Sequence, residues 1–483
     1  MKILLVSSEV NPYSKTGGLG DMVGALGKAL AHAGHRVGIV TPLYAGIREK
    51  VPGLQKLALP LDLPLGSRQV TAEVWSLDLS PSLTIYFIDQ PSFYFRPGLY
   101  GERGGEYPDN AERFIFFSKA AARLAIDLPW QPEVAHAHDW QSGLVPILLQ
   151  HQRLKAGWQR PIRTCMTIHN LAYQGLFPAW DYALTNLPPD YFNPNGVEFY
   201  GLLNCLKAGI ACADVITTVS PRYAREITTP EFGCGLDGLL RKRQDSLFGI
   251  LNGVDYEEWR TSRNPFLKHS FSGKNLAGKA KNKLALQAEM GLPVAADIPL
   301  FGSVTRLADQ KGIELTLGAL EEMLERNMQF VLLGSGDPAF EKDLRDLAVR
   351  HPDRVAVRIG FDAGLSHRIE AAADFYLMPS KFEPCGLNQM YSLRYGAIPI
   401  VRATGGLDDS VIDLADDPEH ANGIKFSDYG AAALAKSIRK ALALYGAPDL
   451  LRHYRRNAMA ADFSWERVVD SYAKVYGADP QNV

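Results

Sequence analysis

Two loops in this chain combine glycine with residues that can bind an anion: Lys15-Thr16-Gly17-Gly18-Leu19-Gly20-Asp21 and Glu383-Pro384-Cys385-Gly386-Leu387-Asn388-Gln389. Amide groups at the start of a helix are unpaired at the positive end of its dipole, and glycine lets a phosphate come close to them. Other reactive groups follow further strand-like runs. They are His138-Asp139-Trp140, the stretch from His169 to Gly175, Arg306 and Lys311 within the stretch from Thr305 to Gly312, and Gly334-Ser335-Gly336-Asp337. In open parallel sheets ligands collect beyond the carboxyl ends of the strands. Lys15, Arg306 and Lys311 are therefore candidates to neutralise a diphosphate, with His169, Asp139 and Glu383 around the group it carries. Two anion sites predict a cleft.

The elements that position these loops alternate between strand and helix, twice over. In the first half, Ile3 to Val6, Arg36 to Thr41, Thr84 to Ile88, Val134 to His138, Arg163 to His169 and Val215 to Val219 read as short buried strands separated by helix-length segments. The stretch from Asn264 to Asn282 turns polar. A second alternation then runs through Leu300 to Val304, Phe330 to Leu333, Val355 to Ile359, Asp374 to Met378 and Ile398 to Val401. Met22, Val23, Leu26 and Leu30 recur at helical spacing after the first loop until Gly34. Leu387, Met390, Tyr391 and Tyr395 do so after the second, until Gly396. Two doubly wound α/β domains are predicted, at 1–253 and 254–462, and the terminal stretch 463–483 reads as a further helix.

Composition narrows the class. With 483 residues, 46% hydrophobic, 22% charged and a net charge of −2, the chain is expected to fold as a globular protein with more than one core. It has no large basic surface, so nucleic acid and anionic membrane are not expected partners. No run is long enough to span a bilayer, and the first residues lack the apolar core of a signal peptide. Five scattered cysteines, Cys165, Cys205, Cys212, Cys234 and Cys385, have no metal-ligand spacing and are read as reduced in a cytoplasm.

Lys15 to Asp21, His138-Asp139-Trp140, His169 to Gly175, Arg306 with Lys311, and Phe382 to Leu387 closely resemble the glycogen and starch synthases that use a nucleotide sugar donor. The resemblance runs from Lys2 to about Trp465. It implies a GT-B architecture, two Rossmann-like domains facing a deep cleft with the terminal helix in 463–483 completing the first, and transfer of glucose to the non-reducing end of an α-1,4-glucan. The Lys-Thr-Gly-Gly-Leu form of the first loop resembles the bacterial and plastid branch, for which ADP-glucose is the usual donor and no cofactor or metal is implied.

The same resemblance implies the roles. Lys15, Arg306 and Lys311 contact the diphosphate, Glu383 binds the donor glucose hydroxyls, His169 lies beside the anomeric carbon, and Asp139 lies near the glucosyl group. On the donor side it also implies Gly17, Gly18, Asp21, Asn170, Asn252, Phe361, Cys385, Gly386, Leu387 and Asn388. On the acceptor side it implies Tyr100, His138, Tyr173 and Gln174. Asn388 departs from the family, which has Thr there; its amide is expected to donate where the hydroxyl did. Phe361 is expected to stack on the base, a contact that discriminates bases poorly. Retention is expected because donor and product linkage are both α. A carboxylate nucleophile and a front-face substitution both deliver it, and the resemblance favours the second.

Plainer readings compete. A glycine loop after a first strand is most often a dinucleotide site or a tight turn, but Gly17-Gly18-Leu19-Gly20 lacks the G-x-G-x-x-G order. A lone histidine is more often structural; placement at a strand end favours a role for His169 over His138. Tyr100 and Trp140 are core aromatics as readily as sugar platforms, and Cys385 is read as a small packing group. A glucan phosphorylase would need a pyridoxal phosphate lysine, for which no matching segment is found. A UDP-glucose enzyme of the same fold and a non-catalytic glucan-binding scaffold are the remaining alternatives, the latter weakened by the presence of Lys15, Arg306 and Glu383 together.

Overall fold

The structure, a computed structural model, describes residues 1–102, 105–156 and 161–477. The chain forms two compact units, Met1–Gly253 with Trp465–Val483, and Val254–Ser464.

The first unit is built on a ten-stranded sheet. It is parallel from Leu247–Gly249 through Val215–Thr218, Arg163–Ile168, Val134–His138, Lys2–Val6 and Arg36–Pro42 to Leu83–Asp89. Ile3, Leu4, Leu5 and Val6 are wholly buried, which explains why the first strand is apolar throughout rather than alternating. Beyond Leu83–Asp89 the sheet turns antiparallel: Arg68–Ser80 pairs with it, and Leu61–Leu65 and Gln55–Lys56 pair with Arg68–Ser80. This extension is absent from the expected parallel pattern. Its signal is period-two, with Leu61, Leu63 and Leu65 buried while Asp62 and Pro64 face out. The helix Gly18–His32 starts directly at the first glycine loop and buries Met22, Val23, Leu26 and Leu30. The helix Trp465–Gly477 belongs to this unit, with Tyr472 and Tyr476 packed against His136.

The second unit carries a six-stranded parallel sheet in the order Val355–Ile359, Gln329–Gly336, Leu300–Leu307, Phe375–Met378, Ile398–Arg402 and Ile424–Phe426. Phe301, Phe330 and Phe375 are wholly buried and form the middle of the core. At the amino edge, Asp374 is paired with Lys283 at 2.7 Å and Arg455 at 2.6 Å. It thereby ties the helices Ala277–Glu289 and Pro448–Ala460 to the sheet.

In each sheet the order of connection reverses beside the first strand. In the first unit, Lys2–Val6 lies between Arg36–Pro42 and Val134–His138. In the second, Leu300–Leu307 lies between Gln329–Gly336 and Phe375–Met378. Loops at such a reversal diverge to opposite faces and leave a crevice at the carboxyl edge. The carboxyl end of Leu300–Leu307 itself holds Arg306, and the segments that follow these strands hold Lys15, Asp139, Lys311 and Glu383.

Candidate active site

In the first unit, the loop after Lys2–Val6 is organised by Glu9, a residue that sequence reasoning missed. Its buried carboxylate accepts from the Thr16 amide at 2.6 Å, the Thr16 hydroxyl at 2.6 Å, the Gly17 amide at 3.3 Å and the Tyr100 hydroxyl at 2.7 Å. The only sequence signal was an acid at the end of an apolar strand. These contacts show how two of the expected site residues are held. The Gly17 amide donates to Glu9, and the hydroxyl of half-buried Tyr100 bonds to Glu9 and Ser8. Lys15 is exposed above the helix start, its ammonium 2.6 Å from Asp21, whose other oxygen accepts from the Asn11 amide.

Asp139 follows Val134–His138 with φ +56°, a conformation costly for a non-glycine residue and typical of functional sites. Its amide donates to the Thr167 carbonyl and its Oδ1 accepts from the His169 amide at 2.8 Å, so it locks two strand ends together. Burial pushes its carboxyl up to about 7, against the His169 and Asn170 amides, which favour the charged form. His169 is half-buried, and burial holds its imidazole at about 3, so it is neutral near pH 7. His138 is wholly buried, with Nδ1 3.1 Å from His169 Nε2.

Gln174 lies five residues beyond His169. It is buried, donates to the Cys234 carbonyl and accepts from the Asn204 amide. Tyr173 beside it is exposed and remains available. Asn170 closes a turn through its Oδ1 to the Ala172 amide. Trp140 is a core aromatic between Phe114 and Phe177. Asn252 is buried, and its Oδ1 finds no partner among the described residues.

In the second unit, Lys311 and Glu383 are brought together, Nζ to Oε2 at 2.5 Å, and the Ser380 hydroxyl donates to the same oxygen at 3.1 Å. Glu383 is buried while its Oε1 is left without a protein partner among the described residues. Gly312 makes the approach possible: it has φ +65°, and a Cβ there would lie 2.2 Å from the Pro379 carbonyl oxygen. Arg306 is exposed and makes no ion pair among the described residues. Phe361 is 87% exposed, a ring with one face free.

Around the second loop, Cys385 is buried, Gly386 has φ +69°, and Leu387 caps the helix Asn388–Arg394. Asn388 is not free to meet a phosphate with its amide. It donates to the Val304 carbonyl and the Tyr376 hydroxyl, both at 2.8 Å, so both amide hydrogens are engaged within the protein. A further loop was missed. Thr404-Gly405-Gly406-Leu407, after Ile398–Arg402, repeats the Thr16-Gly17-Gly18-Leu19 order, a signal that was in the sequence. The Gly406 amide donates to the Glu383 carbonyl, and a Cβ on Gly405 would lie 2.0 Å from that oxygen. The glycines thus let this loop buttress Glu383.

Among the described residues no group of three or more His, Cys, Asp or Glu is arranged to hold a metal ion, and no helix is long and apolar enough to cross a membrane.

Residues 2–242 match the starch synthase catalytic domain family, and residues 292–460 match the glycosyl transferases group 1 family. A glycogen synthase of Anaeromyxobacter dehalogenans strain 2CP-C is 50% identical over 477 residues, 99% of each chain. One from Cellvibrio japonicus is 45% identical over 98% of each. Among solved structures, the catalytic domain of starch synthase IV from Arabidopsis thaliana, bound to ADP and acarbose, superposes with a TM-score of 0.89 at 35% identity over 98% of each chain.

Proposed function

The chain belongs to the glycogen synthase family of glycosyltransferases, and from that premise we propose that it moves glucose from ADP-glucose to the non-reducing end of an α-1,4-glucan, with retention and without a metal. The observation that carries the reading is the Lys311–Glu383 pair at the carboxyl edge of the second sheet where its order reverses, with Arg306 exposed at the end of Leu300–Leu307 and in no ion pair among the described residues. ADP as the leaving group is supported by the Arabidopsis structure, which was bound to ADP and acarbose.

In this reading the anomeric carbon to phosphate oxygen bond breaks, and the bond to the acceptor 4-oxygen forms on the same face. The acceptor's hydroxyl proton passes to the departing phosphate oxygen, and ADP leaves. Arg306, Lys311 and Lys15 stabilise the charge that grows on that oxygen, an effect largest at the transition state. Glu383 offers Oε1 to the glucose hydroxyls. Its Oε2 is neutralised by an ammonium at 2.5 Å, which lowers its nucleophilicity and supports the front-face route over a glycosyl-enzyme intermediate. Neutral His169 and the carboxyl of Asp139 border the sugar. Phe361 stacks on the adenine.

The test is transfer from ADP-[14C]glucose to glycogen followed by β-amylase digestion. Release of label as maltose places it at non-reducing ends in α linkage. Label that is not released contradicts the assignment.

A further inference from the structure

His138 and His169 form a contact that the proposed reaction does not explain. His138 Nδ1 lies 3.1 Å from His169 Nε2, with ring centroids 5.4 Å apart. The His138 side chain is wholly buried, and its Nε2 has no hydrogen-bond partner among the described residues. On its other side the His136 ring packs with centroids 4.0 Å apart. His136 is itself held by the Tyr476 hydroxyl on Nδ1 at 2.7 Å and the Thr167 hydroxyl on Nε2 at 2.5 Å. The plane of His138 is therefore fixed by a neighbour on each side.

A neutral imidazole carries one N–H, and burial keeps all three rings neutral near pH 7. A single proton then occupies the 3.1 Å contact, on His138 Nδ1 or on His169 Nε2. If it sits on His169, His138 must carry its own proton on Nε2, a buried donor facing nothing. If it sits on His138 Nδ1, the same atom is only an unfilled acceptor. Orphaned buried N–H groups are the rarer of the two in folded proteins.

We propose that His138 is a positioning residue: it donates from Nδ1 to His169 Nε2 and so fixes His169 as the Nδ1–H tautomer. His169 Nδ1, which has no protein partner among the described residues, then stands as a donor to a sugar oxygen. The last step rests on the glucosyltransferase reading; the tautomer does not.

Two measurements separate these parts. In the free protein with 15N-labelled histidine, two-bond ring couplings assign which His169 nitrogen bears the proton, with His169→Gln identifying the signals. A proton on Nδ1 is the expected result, and one on Nε2 overturns the proposal whatever the enzyme's donor proves to be. In the second, His138→Asn places an amide donor where Nδ1 was, whereas His138→Gln places it where Nε2 was and His138→Phe keeps only the ring. The expected pattern is near-normal kcat for His138→Asn, with kcat down about tenfold or more for the other two and donor KM within about twofold. Equal loss in all three would overturn it.

Discussion

The Lys311 ammonium is 2.5 Å from Glu383 Oε2, joining the loop after the first strand of the second unit to the loop after the fourth. Both side chains are largely removed from water, so removing either leaves the other's charge without its partner. Lys311→Ala should leave Glu383 uncompensated and remove a phosphate cation. A loss of about 100-fold in kcat/KM is expected from steady-state rates; a change under about threefold would remove the pair from the reaction.

Gly312→Ala tests the geometry behind that pair. With φ +65° and a carbonyl oxygen 2.2 Å from the added carbon, the loop must shift, at a cost of roughly 1–3 kcal/mol of backbone strain alone. Both the urea midpoint and kcat should fall. An unchanged midpoint would mean that the loop adapts freely.

Phe361→Ala should behave in the opposite way. The ring is 87% exposed and contributes little to the core, so Tm should hold. Loss of stacking worth about 1–3 kcal/mol raises donor KM by about five- to 150-fold. An unchanged KM would show that the base does not rest there.

Stability should fall on acidification. Burial holds His136 and His169 at about 3, below the 6.5 or so of an unfolded chain, and holds His138 low as well. Below pH 6.5 the unfolded chain therefore takes up protons that the folded one refuses, worth about 2 kcal/mol at pH 5 for fully buried His136. Asp139, raised to about 7, acts the other way, since its folded form keeps a proton that the unfolded chain releases above about 4. Three groups against one give a lower urea midpoint at pH 5 than at pH 7, and Asp139→Asn should deepen the drop. A flat midpoint would contradict the burial of these imidazoles.

The buried parallel strands were legible because their residues are apolar without alternation, as in Ile3 to Val6 and Phe330 to Leu333. Arg68–Ser80 was not, because one of its faces is wet and its period is two. The polar stretch from Asn264 to Asn282 hides the start of the helix Ala277–Glu289. Lys279 and Lys283 look solvated in the sequence, yet their ammonium groups are buried on the Ala371 carbonyl and on Asp374. Within the site, Lys311 and Glu383 could be named from their loops, but their pairing depends on a crossing 72 residues apart. Glu9, Tyr100, Gln174 and Asn388 show the limit most plainly: residue type gave their hydrogen-bonding capacity, and only packing decided that it is used inside the protein.

Initial rates of glucose transfer to glycogen in EDTA, with ADP-glucose and UDP-glucose side by side, for the wild type and Glu383→Ala, examine donor, metal and site together. ADP-glucose turnover should persist in EDTA and collapse in the variant with the fold intact. Transfer from UDP-glucose alone would contradict the donor assignment, loss of transfer in EDTA would contradict the metal-free reading, and near-normal turnover in the variant would remove Glu383 from the site.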